Sequence, residues 1–67
     1  MNIYDTALVY KEKIMSELND DESCHSLEDA LMKEFIDAYG KESEENMLAA
    51  RSVIREIRLL EFSRWCA

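Results

Sequence analysis

Residues 43–65 read SEENMLAARSVIREIRLLEFSRW, and this stretch decides the fold. It holds neither proline nor glycine, the residues that most readily interrupt a helix. Ala50, Val53, Ile54, Ile57 and Leu60 recur at spacings of one, three and four, so they share one helical face. Met47 and Trp65 flank that stripe. Ser43 ahead of Glu44 and Glu45 is a start signal, because a serine hydroxyl accepts from an unpaired backbone N–H and acids suit the positive end of the helix dipole. Leucine, alanine, arginine, glutamate and methionine, all good helix formers, dominate the stretch. The pattern predicts a helix over about 44–65, the longest in the chain.

Upstream, Gly40 is the only glycine, and no proline occurs in the 67 residues. Gly40 is placed to end a helix in the left-handed conformation. Before it, Leu27, Ala30, Leu31, Phe35 and Ala38 form one face, with Met32, Ile36 and Tyr39 as a second strip. Ser26, followed by Leu27, Glu28 and Asp29, reads as the cap, which predicts a helix over about 27–39. Residues 19–26, NDDESCHS, read as a polar loop. Ahead of them Ile3, Ala7, Tyr10, Ile14 and Leu18 mark a helix over about 2–18, with Asn2 or Asp5 as its cap. The expectation is an all-α single domain over 1–67, a small three-helix bundle running up, down and up. The close variant is a hairpin of the second and third helices with the first across it. The first two helices carry wider apolar faces than so small a bundle buries, which predicts a dimer or a constant partner.

Composition narrows the function. Hydrophobic residues make up 48%, too many for a disordered chain. No apolar run approaches the roughly 18 residues of a membrane span. Residues 1–10 contain Asp5 and no basic residue, unlike a signal peptide, so the expected location is cytoplasmic. The net charge of -7 opposes general nucleic-acid binding and attraction to anionic membranes, and suits a basic protein surface.

The charge is uneven. Residues 19–45 hold ten acids and two lysines, whereas residues 46–67 hold four arginines and two acids. Either Arg51, Arg55, Arg58 and Arg64 neutralise the acidic belt within one fold, or the belt, with Asp20, Asp21, Glu22, Glu28 and Asp29, meets a basic partner. Arg51, Arg55, Arg58 and Phe62 lie opposite the core stripe of the third helix, bordered by Leu48, Leu59 and Cys66. Close like charges at a spacing of four are unfavourable unless acids or a partner offset them. Arginine and aromatic residues are also enriched at interfaces. Two readings follow: the third helix is central and covered on both sides, or Leu48, Arg51, Arg55, Arg58, Leu59 and Phe62 meet a partner or a second copy.

Chemistry-bearing motifs are sparse. Cys24, His25 and Cys66 make at most three ligands, fewer than a structural zinc site needs. Residues 19–22, NDDE, lack the glycine and spacing of a calcium loop. One histidine and one glycine allow no serine triad, phosphate loop or dinucleotide fingerprint. The expectation is no catalysis, no cofactor and no metal. A helix-turn-helix outline around Gly40 would put Glu44, Glu45 and Asn46 against the base edges, a surface that repels phosphates. In size and composition the chain resembles the small helical regulators and inhibitors encoded by phages and plasmids, a likeness of type that no motif carries. The expected function is an acidic helical module that regulates or inhibits another protein. The alternative is a nucleic-acid-binding regulator using the arginine face.

Overall fold

Local caps set where the helices begin in the computed structural model, which describes residues 1–60. Helix α1 spans Ile3–Ser16, α2 spans Asp21–Asp37 and α3 spans Glu44–Arg58. Asn2 caps α1, its Oδ1 accepting the Asp5 N–H at 2.8 Å. Ser43 caps α3, its Oγ accepting the Asn46 N–H at 3.1 Å. After α2, Gly40 takes a φ of 80°, a conformation costly to residues with a Cβ. A Cβ there would meet no neighbour, so backbone conformation rather than space selects glycine.

The second helix corrects the sequence reading. It begins at Asp21, not near Leu27, and Ser26 lies exposed inside it. Asp20 is the cap: its carboxylate accepts the Ser23 N–H at 3.2 Å and the Ser23 hydroxyl at 3.0 Å. Asp21 and Glu22 then occupy the first turn, where acids are favoured. The polar run hides an inward position. Cys24 is fully buried, and its Sγ donates to the carbonyls of Ile14 at 3.5 Å and Glu17 at 3.0 Å. The end of a helix leaves carbonyls in need of partners, and the Cys24 thiol serves two at the α1–α2 turn.

Three other boundaries differ. α2 ends at Asp37, short of the expected residue 39. α1 stops at Ser16, leaving Leu18 in an exposed turn. α3 ends at Arg58 rather than reaching residue 65; Phe62, Trp65 and Cys66 lie outside the described residues. Leu59 and Leu60 donate to the carbonyls of Glu56 and Ile57, the tighter three-residue pattern of a closing turn. Propensity alone would carry the helix on. Its regular part stops one residue after Ile57, the last fully buried side chain among the described residues, and Leu60 in the closing turn is half-buried against the core.

The helices run up, down and up. Cys24, near the start of α2, meets the end of α1, and Glu28 in the first half of α2 meets Arg58 at the end of α3. α1 is the shared helix. It packs closely on α3 and on α2, while α2 and α3 touch only lightly, so the third helix is not the central one. Ile3, Ala7 and Ile14 of α1 join Cys24 and Leu31 of α2, Ala38 just beyond it, and Ala50, Val53, Ile54 and Ile57 of α3. The α3 stripe is as expected. The inner face of α2 is rotated from the expected one, running through Cys24, Glu28, Leu31 and Ala38, with Leu27 and Phe35 half-buried beside it. Among the described residues no helix is long and apolar enough to cross a membrane.

Neighbouring apolar residues on α2 should respond oppositely to truncation. Leu31→Ala should cost about 2–5 kcal/mol, whereas exposed Ile36→Ala should stay within about 0.5 kcal/mol, in urea titrations followed by circular dichroism. Equal losses would show that the two faces are misassigned.

The cap at Asp20 gives a pH test. The Ser23 N–H, and after it the Ser23 hydroxyl, hold the Asp20 carboxyl below the usual aspartate range. A folded pKa below the unfolded one means stability present above the unfolded value and lost as pH falls through the folded one. Asp20→Ala should therefore be less stable than the parent at neutral pH, and the gap should narrow below about pH 4. A gap that stays constant from neutral to strongly acidic pH would show that the carboxylate charge is not what stabilises this end of α2.

Candidate interaction surface

The pitch of α3 sorts its side chains into four sides. At about 100° per residue, Leu48, Ser52, Arg55 and Leu59 fall within about 60° of one another, opposite Ala50, Val53, Ile54 and Ile57. Glu56 and Arg58 stand about 80° to either side of Leu48. Each flanking residue forms an ion pair with a neighbouring helix. Glu56 pairs with Lys11 of α1 at 3.3 Å, and Arg58 pairs with Glu28 of α2 at 3.3 Å. The core stripe and these two pairs together fix the rotation of α3, and with it which side faces outward.

The outward side carries much of the expected partner face. Leu59 is 82% exposed and Leu48 52% exposed. Arg51 and Arg55 are exposed too, and among the described residues neither lies within ion-pair distance of a carboxylate. Arg58 differs, since it is committed in part to Glu28. Phe62 lies outside the described residues.

The acidic belt does not survive as one surface. Glu28 is only 3% exposed, so it leaves the belt and becomes a buried partner of Arg58. Its charge had disguised a position on the inner face of α2. Asp20 is used as a cap, and Asp29 meets the His25 Nε2 at 3.4 Å. Asp21 and Glu22 are exposed in the first turn of α2. The remaining acids, including Asp37, Glu42, Glu44 and Glu45, belong to the far end of that helix, roughly 24 Å away at 1.5 Å per residue. The acids therefore form two separate ends. Of the arginines on described residues, Arg58 alone neutralises an acid within the fold by an ion pair.

Sequence reading did not foresee a groove beside the outer face of α3. It lies between the end of α2 and the first half of α3, the pair of helices that touches least, and measures about 360 Å³. Phe35 and Met47 are half-buried in it, Tyr39 and Leu48 form exposed walls, and Glu42, Glu44 and Arg51 are at its lips. The Phe35 and Tyr39 rings meet edge to face at 5.7 Å. The second apolar strip of Met32, Ile36 and Tyr39 was the signal in the sequence: Met32 is half-buried, while Ile36 and Tyr39 stay outside.

Of the candidate metal ligands, Cys24 bonds the Ile14 and Glu17 carbonyls and His25 meets Asp29, while Cys66 lies outside the described residues. Among the described residues no group of three or more His, Cys, Asp or Glu is placed to hold a metal ion. Comparison of the chain with protein families, with curated proteins and with solved structures finds no match. The functional reading therefore rests on the surface itself.

Two arginines one turn apart should differ in mutagenesis. Arg58→Ala removes the ion pair of a buried carboxylate and should cost about 1–2 kcal/mol, less than a fully buried pair because Arg58 is partly exposed. Arg55→Ala should change stability by less than about 0.5 kcal/mol. Equal effects in urea unfolding would remove Glu28–Arg58 as a structural brace.

Proposed function

We propose that this chain is a non-enzymatic helical docking module that regulates or inhibits another protein through the outer side of α3. The observation that carries the reading is the uncovered line of Leu48, Arg55 and Leu59, with Arg51 beside it. Two exposed leucines bracket guanidinium groups that no carboxylate on the described residues satisfies. Leucines supply apolar area that becomes favourable once water is excluded, and arginines supply directional donors for carboxylates or carbonyls on the partner. The net charge of -7 steers encounter towards a partner of positive overall charge, a long-range effect distinct from the local contact. A cytoplasmic setting suits the buried Cys24 thiol, which donates as S–H.

Self-association through the same side is less favourable. A two-fold contact sets a patch against its own copy, so Arg51 and Arg55 would face arginines. Nucleic-acid binding is opposed by the exposed Glu44 and Glu45 at the start of α3.

The test is the double variant Arg55→Glu with Leu59→Asp. Both side chains are exposed, so helicity should be unchanged, while affinity for the partner isolated with the parent protein should fall at least tenfold, about 1.4 kcal/mol or more. Undiminished association would mean that this side of α3 is not the interface. Light scattering that shows a dimer abolished by the same variant would assign the face to self-association. Salt-dependent binding of DNA or RNA would overturn the protein-docking reading.

A further inference from the structure

The groove between α2 and α3 has features that the outer face of α3 lacks. It is concave and lined by aromatic, thioether and leucine side chains, and carboxylates stand at one lip. Its volume of about 360 Å³ is near the lower end of the range for ligand-sized pockets, enough for a large side chain or two. Tyr39 is 67% exposed, a large ring that meets Phe35 edge to face. Met47 adapts its shape to what it meets. Glu44 and the half-buried Glu42, which accepts the Asn46 side-chain amide at 3.2 Å, lie at the lip, and Asp37 and Glu45 are close along the chain; these four acids stand against two cations, Lys41 and Arg51. Arg51 offers a flat guanidinium that stacks on an aromatic ring.

We infer that this groove takes an aromatic or leucine side chain of a partner protein, presented on a segment whose neighbouring residues are lysine or arginine. The inference deepens the docking reading and rests on it, because it names the partner's chemistry and adds a second contact beside the outer face. Charge decides the occupant. The acidic lip attracts a basic segment, and partial burial in the groove makes each such pair stronger than at an open surface. A second copy of this chain fits poorly. Its basic apolar surface is the outer side of α3, which shares Leu48 and Arg51 with the groove, so a closed pair of copies would bring the arginines of both together. It would also bring two chains of charge -7 together.

The probe is a synthetic helical peptide of leucine and lysine carrying one tryptophan, titrated into the isotope-labelled protein and followed by amide chemical shifts. The expected result is that the largest shifts fall on Tyr39, Met47, Leu48 and Arg51. Tyr39→Ala and Leu48→Ser, both at exposed positions and neither changing the charge, should each weaken binding about tenfold with helicity intact. Replacing the peptide's tryptophan by serine should weaken it equally. Leu59→Ser, which leaves the net charge unchanged, should leave the peptide's affinity unchanged, which separates the groove from the outer face. Shifts spread evenly over the acidic residues, or equal affinity of the serine peptide, would reduce the effect to charge attraction and overturn the inference. Shifts at the same four residues on raising protein concentration alone would assign the groove to a second copy. If the peptide fails while the outer-face variant still abolishes partner binding, the groove is wrong and the docking reading stands.

Discussion

Small side chains between close-packed helices set the terms for the rest of this structure. Ala7 and Ala50 are wholly buried on the two helices that pack most closely, and Ala38 is buried just beyond α2. Alanine allows helix axes to approach, and the chain fills what remains with isoleucine, valine, leucine and one cysteine. No aromatic ring on the described residues is fully buried. A domain of this size has little interior, so large side chains are left at or near the surface. The exposed or half-buried Tyr4, Tyr10, Phe35 and Tyr39 follow from that limit, and the groove is where two of them collect. Stability and the surface available for binding thus have one origin.

The shared position of α1 explains where the surface opens. Because α1 contacts both other helices, α2 and α3 need not close on each other, and they meet lightly. The Glu28–Arg58 pair holds them together at one end. At the other end the turn through Gly40 joins them with no ion pair across it among the described residues, and the groove lies there. The Lys11–Glu56 pair is partly exposed and of modest strength, but it fixes the same rotation of α3.

Much of this architecture could be read from the sequence, for identifiable reasons. The stripe of Ala50, Val53, Ile54 and Ile57, the Ser43 cap and the Gly40 stop are local signals, and each holds. The start of α2 was hidden because Ser26, Glu28 and Asp29 imitate a cap after a run of polar residues. The true cap, Asp20, carries the same kind of signal ahead of Asp21 and Glu22, with the Ser23 hydroxyl as an added partner. Glu28 was misread because a carboxylate at an inner position is recognisable only once its partner, Arg58, is known, and the two are thirty residues apart. The outer line of α3 was legible from helical pitch, since it needs no tertiary knowledge. The groove was not, because it depends on which pair of helices packs loosely. The strip of Ile36 and Tyr39 pointed towards it without giving its location.

The light contact between α2 and α3 has a consequence for how such a protein changes over generations. The groove walls, Tyr39 and Leu48, together with neighbouring Ile36, contribute little to the buried core. Replacing them leaves the packing around α1 intact, and exposed positions of this kind seldom shift stability by more than about 0.5 kcal/mol. On the docking reading, the residues that hold the fold and those that would choose a partner are therefore almost separate sets. Recognition of that kind could drift from one target to another by single steps, each leaving a folded intermediate, while the scaffold stays under a different and stricter constraint.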